Sequence, residues 1–184
     1  MFGISLGDDG AELRPLEPWN AEEYLAHIDR CREYVGTHIS LADRATDLSS
    51  ATAFLQMYAD KAATDSGRIY GIWVDGTLIG GVLFRIFDAQ SGSCEVGCWL
   101  EEAFAGRGLV TRAIGVLIDW AVEVRGIHRV EWRAASGNTA SLKAARRLGM
   151  VRDGVLRKSH PHRGERVDIE VWSVLAPEWR ARRG

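Results

Sequence analysis

Hydrophobic and polar residues alternate along the chain with two different periods. Seven segments have either a two-residue alternation or a short apolar run between turn residues, and both patterns are typical of β-strands. The predicted strands are Leu13–Leu16, Ile69–Val74, Leu78–Phe87, Ser93–Leu100, Val130–Ala134, Val151–Ser159 and Val167–Leu175. Asp75-Gly76 and Arg163-Gly164 predict the tight turns of two hairpins.

Segments with helical spacing lie between these strands. The predicted helices with readable bounds are Ala21–Ile28, Leu109–Arg125 and Asn138–Leu148, the first of them capped by Asn20. Another helix is predicted to begin at a Ser49 or Ser50 cap and to carry Phe54 and Tyr58 on its apolar stripe. Gly126 and Gly149 stand where helices commonly end. Gly36–Asp47 has no readable pattern, and Ala176–Gly184 is predicted to be a solvated basic tail with at most one helical turn.

The order of the predicted elements indicates the fold class. Antiparallel hairpins stand beside a β-α-β segment, which predicts an α+β protein with a mixed, mostly antiparallel sheet and flanking helices. There are no linkers or repeats, so residues 1–184 are expected to form one domain.

Composition excludes several function classes. The 184 residues carry a formal net charge of −2, which argues against a protein that coats nucleic acid. No segment approaches the roughly 20 apolar residues of a membrane span. Three Cys do not make a disulfide framework, and the first ten residues lack the pattern of a secretory signal. A cytoplasmic location without membrane contact is therefore expected.

A glycine-rich turn carries the first candidate chemistry. Gly106-Arg107-Gly108 follows a predicted strand and directly precedes the long helix, so the main-chain N–H groups of the turn and of the first helical turn converge. This arrangement suits a phosphate or pyrophosphate. The P-loop pattern is absent, and the dinucleotide fingerprint lacks its third glycine, where Thr111 stands. Gly97, inside its strand, predicts a β-bulge or a close approach of another backbone or a ligand.

A second motif spans the helix that follows the next predicted strand. The helix begins with Asn138-Thr139-Ala140-Ser141 and ends with Leu148-Gly149-Met150. Together with the glycine-rich turn and the strand from Glu95 to Leu100, it resembles the GCN5-related N-acetyltransferase (GNAT) superfamily. The resemblance covers nearly the whole chain, and within the superfamily the chain is similar to the RimJ/RimL branch of ribosomal-protein N-terminal acetyltransferases.

The resemblance implies the GNAT fold, with an acyl-CoA site between two splayed parallel strands, Ser93–Leu100 and Val130–Ala134, and with acetyl-CoA as the cofactor. The pantetheine arm would pair with the main chain around Trp99 and Leu100, and the Asn138 amide would reach the same arm. The pyrophosphate would bind the N–H groups of a segment that we call the cradle, which consists of Arg107, Gly108, Leu109, Val110 and Thr111.

Two positions depart from the family pattern. Ala105 stands where the family usually has Gln or Arg, and Val110 stands where it has a final Gly or Ala. Because the main chain makes most of the implied contacts, these departures weaken the match only slightly, although Val110 narrows the approach to the cradle.

Direct transfer requires a neutral amine to attack a thioester. A protein α-amine has a reference pKa of about 7.7–8.0, against about 10.4 for Lys, so a moderate base suffices. Glu95 matches the family's strand acid and is the candidate base, and Ser141 matches a serine near the cofactor sulfur and is the candidate proton donor. Each residue also has a purely structural reading: Glu95 as the partner of an arginine, Ser141 as an ordinary first-turn serine, and Asn138 as a helix cap.

The similarity to this branch favours a protein N-terminus as the acceptor. A small amine, such as a polyamine, amino sugar or antibiotic, remains an alternative, as does a non-catalytic acyl-CoA-binding module. A homodimer is expected from the resemblance alone, and no direct nucleic-acid partner is expected. His160-Pro161-His162 lacks a third ligand at a recognisable spacing, so no metal site is predicted.

Overall fold

A computed structural model describes residues 3–7 and 10–183. One mixed sheet contains eight strands, and five helices flank it. The strands are β1 Ile4–Ser5, β2 Ala11–Pro15, β3 Arg68–Val74, β4 Thr77–Asp88, β5 Ser93–Leu100, β6 Arg129–Ala135, β7 Val151–His162 and β8 Glu165–Leu175. The helices are α1 Ala21–Gly36, α2 Leu48–Ala63, α3 Leu109–Asp119, α4 Thr139–Arg147 and α5 Ala176–Arg183.

The strand order is β1-β2-β3-β4-β5-β6-β8-β7. Every neighbouring pair is antiparallel except β5 and β6, which are parallel and are connected through α3. The predicted mixed sheet is therefore confirmed. Both predicted hairpin turns are also present, with positive φ at Asp75, Gly76, Arg163 and Gly164, as a two-residue hairpin loop requires.

Two hydrophobic clusters cover opposite faces of the sheet. The first cluster packs α3, α4 and α5 on one face and includes Val96 and Trp132. The second cluster packs α1 and α2 on the other face and includes Trp99 and Leu83. Because successive side chains of a strand point to opposite faces, the neighbours in β5 divide between the two clusters.

Helix α1 is longer than predicted. The helix continues past Ile28 to Gly36, because Cys31 and Val35 extend the buried stripe at helical spacing. The side chain of Asn20 does not cap it; its amide instead donates to the Glu23 carboxylate at 2.8 Å.

The start of α2 also differs from the prediction. Asp47 is the N-cap, rather than Ser49 or Ser50, and its carboxylate accepts the N–H of Ser50 at 2.7 Å. The Ser50 hydroxyl oxygen in turn accepts the N–H of Asp47, which completes a capping box.

The long helix predicted to end at Arg125 has two parts. It is regular from Leu109 to Asp119 and continues as a π-helical turn over Trp120–Val124. The predicted basic tail is helix α5, which packs on the fold instead of being solvated, because Trp179 is buried and donates to the Asp119 carboxylate at 2.8 Å. Gly184 lies outside the described residues. No helix in the described part of the chain is long and apolar enough to span a membrane.

Candidate active site

The central feature of the sheet is a gap between its two parallel strands. β5 and β6 pair only from Ser93 to Val96, opposite Arg129 to Trp132. Beyond this point β5 stays paired with β4 and β6 stays paired with β8, so the two strands separate. The predicted splay is confirmed, and it opens a cleft of about 1070 Å³.

The predicted bulge at Gly97 is wrong. Gly97 is regularly paired with Leu83 of β4, and the register of this pair of strands shifts instead at Arg85, between Phe84 and Ile86. The extra residue therefore lies in the neighbouring strand. A bulge redirects the side chain that it carries, and this one brings Arg85 against Glu95.

Main-chain directions alternate along the end of β5. The Glu101 N–H donates to the Ile79 carbonyl at 2.9 Å, and a Cβ placed on Gly80 would lie 2.6 Å from the Trp99 carbonyl oxygen. Glu101 and Trp99 thus direct their main-chain groups towards β4, and the alternation directs those of Cys98 and Leu100 towards the cleft. The main-chain groups of Leu100 thus face the cleft, whereas those of Trp99 face β4. The cofactor contacts of both residues stay predictions.

The glycine-rich turn leads directly into α3. Gly106 and Gly108 have φ of +80° and +75°, a conformation that favours glycine. The helical hydrogen bonds begin with the Arg112 N–H, which donates to the Gly108 carbonyl at 3.0 Å, so the N–H groups of Leu109, Val110 and Thr111 precede the ladder. No described side chain caps this helix start.

The side chain of Arg107 lies beside the cradle. Its guanidinium stacks on the Phe104 ring at 4.8 Å and donates to the Ala103 carbonyl at 3.3 Å. Arg107 is exposed, whereas Leu109 is buried beneath the turn and anchors it. The cradle consequently offers N–H groups and a helix dipole, and both fit a pyrophosphate.

The start of α4 faces the same cleft. The Asn138 side-chain oxygen accepts the Ser141 N–H at 3.1 Å, so the predicted helix cap is present. The amide nitrogen of Asn138 has no partner in the described part of the chain. The Ser141 hydroxyl oxygen accepts the indole N–H of Trp132 at 2.9 Å, which leaves its hydrogen available to a group in the cleft.

Glu95 lies in the cleft on the α1–α2 face, almost fully buried and paired with arginines. Nε and Nη2 of Arg85 donate to its two carboxylate oxygens, and Nε of Arg133 lies 3.6 Å from one of them. The carboxylate raises the pKa of Arg85, mainly through this hydrogen bonding. The structural reading of Glu95 as an arginine partner is therefore present, and each oxygen keeps a lone pair for a water or an amine.

The thiol of Cys98 is poorly suited to carry an acyl group. Burial raises the pKa of Cys98 to about 12, so the thiolate that would act as a nucleophile is scarce near neutral pH. Burial also raises the pKa of Cys94 to about 12. These values favour a direct transfer over a route through an acylated cysteine.

A model of the GNAT acetyltransferase domain matches residues 11–151 of this chain. The chain belongs to the GNAT acetyltransferase family. The match covers the glycine-rich turn and the α4 start, the two segments whose geometry is described above. The expected GNAT fold is thereby confirmed, as is the assignment to a family of N-acetyltransferases.

Three similar proteins place this GNAT chain among its relatives. The putative ribosomal N-acetyltransferase YdaF of Bacillus subtilis is 28% identical over 172 residues, which are 91% of this chain and 92% of YdaF. The structure of RimL, a ribosomal L7/L12 α-N-protein acetyltransferase in complex with coenzyme A, superposes with a TM-score of 0.89 at 17% identity and covers 95% of this chain and 98% of that one.

The microcin C7 self-immunity acetyltransferase MccE, in complex with acetyl-CoA and AMP, superposes with a TM-score of 0.86 at 25% identity and covers 94% of this chain and 96% of that one. RimL and MccE thus hold coenzyme A and acetyl-CoA in this fold. The expected acyl-CoA cofactor is confirmed by these complexes.

Several residues in or beside this GNAT site escaped prediction. Arg85 interrupts the apolar run of β4, and this charged residue in an otherwise apolar strand was the sequence signal that could have identified it. The buried His27 pairs with the partly buried Glu101 at 2.8 Å beside the end of β5, although they lie 74 residues apart in the sequence. Sequence spacing could not have found that contact.

Proposed function

We propose that this protein transfers the acetyl group of acetyl-CoA directly to the α-amine of a protein N-terminus, with ribosomal proteins as the acceptor class. One observation carries the proposal: a single cleft passes between β5 and β6 and joins the uncapped start of α3 to the Glu95 carboxylate. A cleft through the sheet lets two reactants meet from opposite sides, as direct transfer needs. The names of YdaF and RimL support a ribosomal protein as the acceptor.

The residues present fit the cofactor. The N–H groups of the cradle would hold the pyrophosphate, since positive φ at Gly106 and Gly108 keeps the turn open to it. Main-chain groups of Leu100 would pair with the pantetheine arm, and the Asn138 amide would donate to the same arm. When bound, acetyl-CoA supplies a thioester carbonyl that an amine can attack and a sulfur that can leave.

Glu95 would remove the proton of the incoming amine. Because Arg85 engages both carboxylate oxygens, the proton is best passed through a water molecule that uses a remaining lone pair of Glu95. A protein α-amine with a pKa of about 7.7–8.0 is already about one-tenth to one-sixth neutral at pH 7, a far larger neutral fraction than that of a Lys side chain, so an indirect base is sufficient.

Ser141 would donate the proton that the leaving sulfur takes up. The Trp132 indole N–H occupies an acceptor site on its oxygen and thereby orients the hydroxyl, so that its hydrogen can point into the cleft. The amine proton passes to Glu95 and a proton passes from Ser141 to sulfur. Glu95 then releases its proton to solvent, and the Ser141 hydroxyl takes up a proton from solvent.

The test is an assay of free-thiol release with purified enzyme and acetyl-CoA. N-terminal peptides that begin with Ser or Ala should be acetylated, whereas the same peptides with a blocked N-terminus should not. Spermidine and glucosamine form the small-amine arm of the panel. Rapid turnover of a small amine, with no peptide accepted, would replace the N-terminal acceptor with a small molecule.

Variants of the proposed catalytic residues complete the test. Glu95→Gln should lower kcat by about 10²-fold if the carboxylate acts as a base. Glu33→Gln, which removes an exposed carboxylate on α1, is the matched control. No rise in melting temperature with millimolar acetyl-CoA would contradict cofactor binding altogether.

A further inference from the structure

The acceptor half of the cleft, on the α1–α2 face, is rich in positive charge. Its basic side chains are those of Arg44, Lys61, Arg85 and Arg133. Within the described part of the chain, Glu95 is the only carboxylate that lines the cleft. Arg85 already engages both of its oxygens, and Arg133 pairs with Glu131 at 3.0 Å.

Two of these cations have no carboxylate partner among residues 3–7 and 10–183. The Lys61 ammonium donates to the Arg85 carbonyl at 2.9 Å and lies 5.2 Å from the centre of the Tyr58 ring. Among the residues that the structure describes, no carboxylate lies within ion-pair distance of Lys61 or Arg44. The Arg85–Glu95 pair is close to neutral, so Lys61 and Arg44 leave this half of the cleft with an excess of positive charge.

The electrostatic environment of Lys61 agrees with this excess. Burial lowers the pKa of Lys61, and the positive charges of Arg85 and Arg44 lower it further, against a smaller opposing effect of Glu95. Lys61 is half-buried, and water and salt screen such a charge less than they screen an exposed one. Arg44 is exposed, so its contribution is more strongly screened.

An excess of positive charge acts on an acceptor in two ways. It repels a molecule that carries several ammonium groups, which counts against polyamines and aminoglycosides, and it attracts an anionic group. It also favours the neutral form of the reacting amine, which is the nucleophile. The apolar lining, which includes Phe54, Met57 and Leu83, can at the same time accept an uncharged side chain.

We propose that the acceptor carries an anionic group close to its amine, in the form of an acidic residue within the first few positions of a peptide N-terminus, and that Lys61 and Arg44 bind this group. The inference rests on the proposed N-terminal acetyltransferase function and specifies its substrate. Glu95 and Ser141 keep their roles, and the two cations select the acceptor.

A matched panel of peptides tests the proposal. The peptides share an N-terminal Ser and differ only at positions two to four, which are Asp or Glu in one set, Asn or Gln in the second, and Lys in the third. We expect kcat/KM to be at least about fivefold higher for the acidic set than for the neutral set, and lowest for the Lys set. Raising the salt concentration should reduce the preference.

Charge-removing variants locate the preference on the protein. Lys61→Gln and Arg44→Gln should each reduce the ratio of acidic to neutral kcat/KM, and the double variant should bring it close to one. The affinity for acetyl-CoA, measured by calorimetry, should stay unchanged in all three. Arg180→Gln, on the distant helix α5, removes one positive charge outside the cleft and should leave the ratio as it is.

The outcomes separate this inference from the function on which it rests. Acetylation of all three peptide sets at equal rates would overturn the inference and leave the N-terminal function standing. If acetyl-CoA binds but no peptide of any charge is acetylated, the proposed function fails first. O-phosphoethanolamine and ethanolamine are tested as a pair of small amines with and without an anionic group. Acetylation of O-phosphoethanolamine alone, with no acidic peptide accepted, would overturn the proposal that the acceptor is a peptide.

Discussion

The indole N–H of Trp99 donates to Nε2 of His27 across 2.9 Å, inside the second hydrophobic cluster. Because Nε2 accepts this hydrogen bond, the proton of the neutral ring lies on Nδ1, which donates to the Glu101 carboxylate at 2.8 Å. His27 belongs to α1, and Trp99 and Glu101 lie at the end of β5. One imidazole thus connects helix α1 to the strand that borders the cleft.

We predict that this contact makes stability depend on pH. Burial lowers the pKa of His27, with Glu101 acting in the opposite direction, so below about pH 6.5 the unfolded chain binds a proton that the folded chain does not. The free energy of unfolding should therefore be highest above pH 6.5 and should fall as the pH decreases, by at most about 1.4 kcal/mol per pH unit.

Urea unfolding at pH 7.5, 6.5 and 5.5 measures this dependence. His27→Gln, which keeps hydrogen-bonding groups but cannot titrate, should flatten the profile in this range. His128→Gln removes an exposed imidazole and serves as the control. An unchanged slope in His27→Gln would exclude His27 as the source.

Gly81→Ala should destabilise the fold. A Cβ at Gly81 would lie 2.2 Å from Cη2 of Trp99 and 2.5 Å from the Tyr70 carbonyl oxygen, and the hydrogen bond to His27 prevents the indole from moving aside. We expect a loss of about 1–3 kcal/mol in the free energy of unfolding, as for overpacked cores. Gly154→Ala is the control in β7, where a Cβ would meet nothing within 4 Å, and it should be close to neutral.

Gly108→Ala should weaken cofactor binding as well as stability. Gly108 has φ of +75°, and an alanine held there costs about 1–2 kcal/mol. Relaxation of that strain would turn the N–H groups of the cradle, so the Kd for acetyl-CoA should rise about tenfold. Gly126→Ala, with φ of +67° at the opposite end of the α3 segment, should lose similar stability but keep its affinity. Equal affinities in the two variants would refute the cradle assignment.

Ser141→Ala should lower kcat by about 100-fold, which is the low end of what a general acid contributes. The KM for acetyl-CoA should change little, because Ser141 has no proposed role in binding. Trp132→Phe removes the indole N–H that Ser141 accepts and leaves the hydroxyl in place.

The two variants separate chemistry from packing. Trp132→Phe should lower the melting temperature and reduce kcat by less than Ser141→Ala does, because it removes the bond that orients the hydroxyl but keeps the hydroxyl itself. Steady-state kinetics beside thermal unfolding measure both quantities. Full kcat in Ser141→Ala would remove this residue from the mechanism.

The local elements followed from the sequence to a large extent. Asn138 caps α4 as its position indicated, because an Asn before a helical stripe meets an unpaired N–H wherever the rest of the chain lies. The ends of elements were less predictable. α1 extends to Gly36 because Val35 is buried against distant parts of the fold. α5 forms because Trp179 is buried in the same way.

The sequence by itself determined the period of each segment, the positive-φ turns at Asp75-Gly76 and around Gly108, and the combination of motifs that indicates a GNAT chain. These features depend on the chemistry of neighbouring residues. Only the tertiary structure decided that the bulge lies at Arg85 in β4, that Arg85 engages Glu95, and that Lys61 and Arg44 stand without a carboxylate partner among the described residues. Such relationships depend on the register between strands and on the packing of helices on the sheet, which bring together residues that are far apart in the chain.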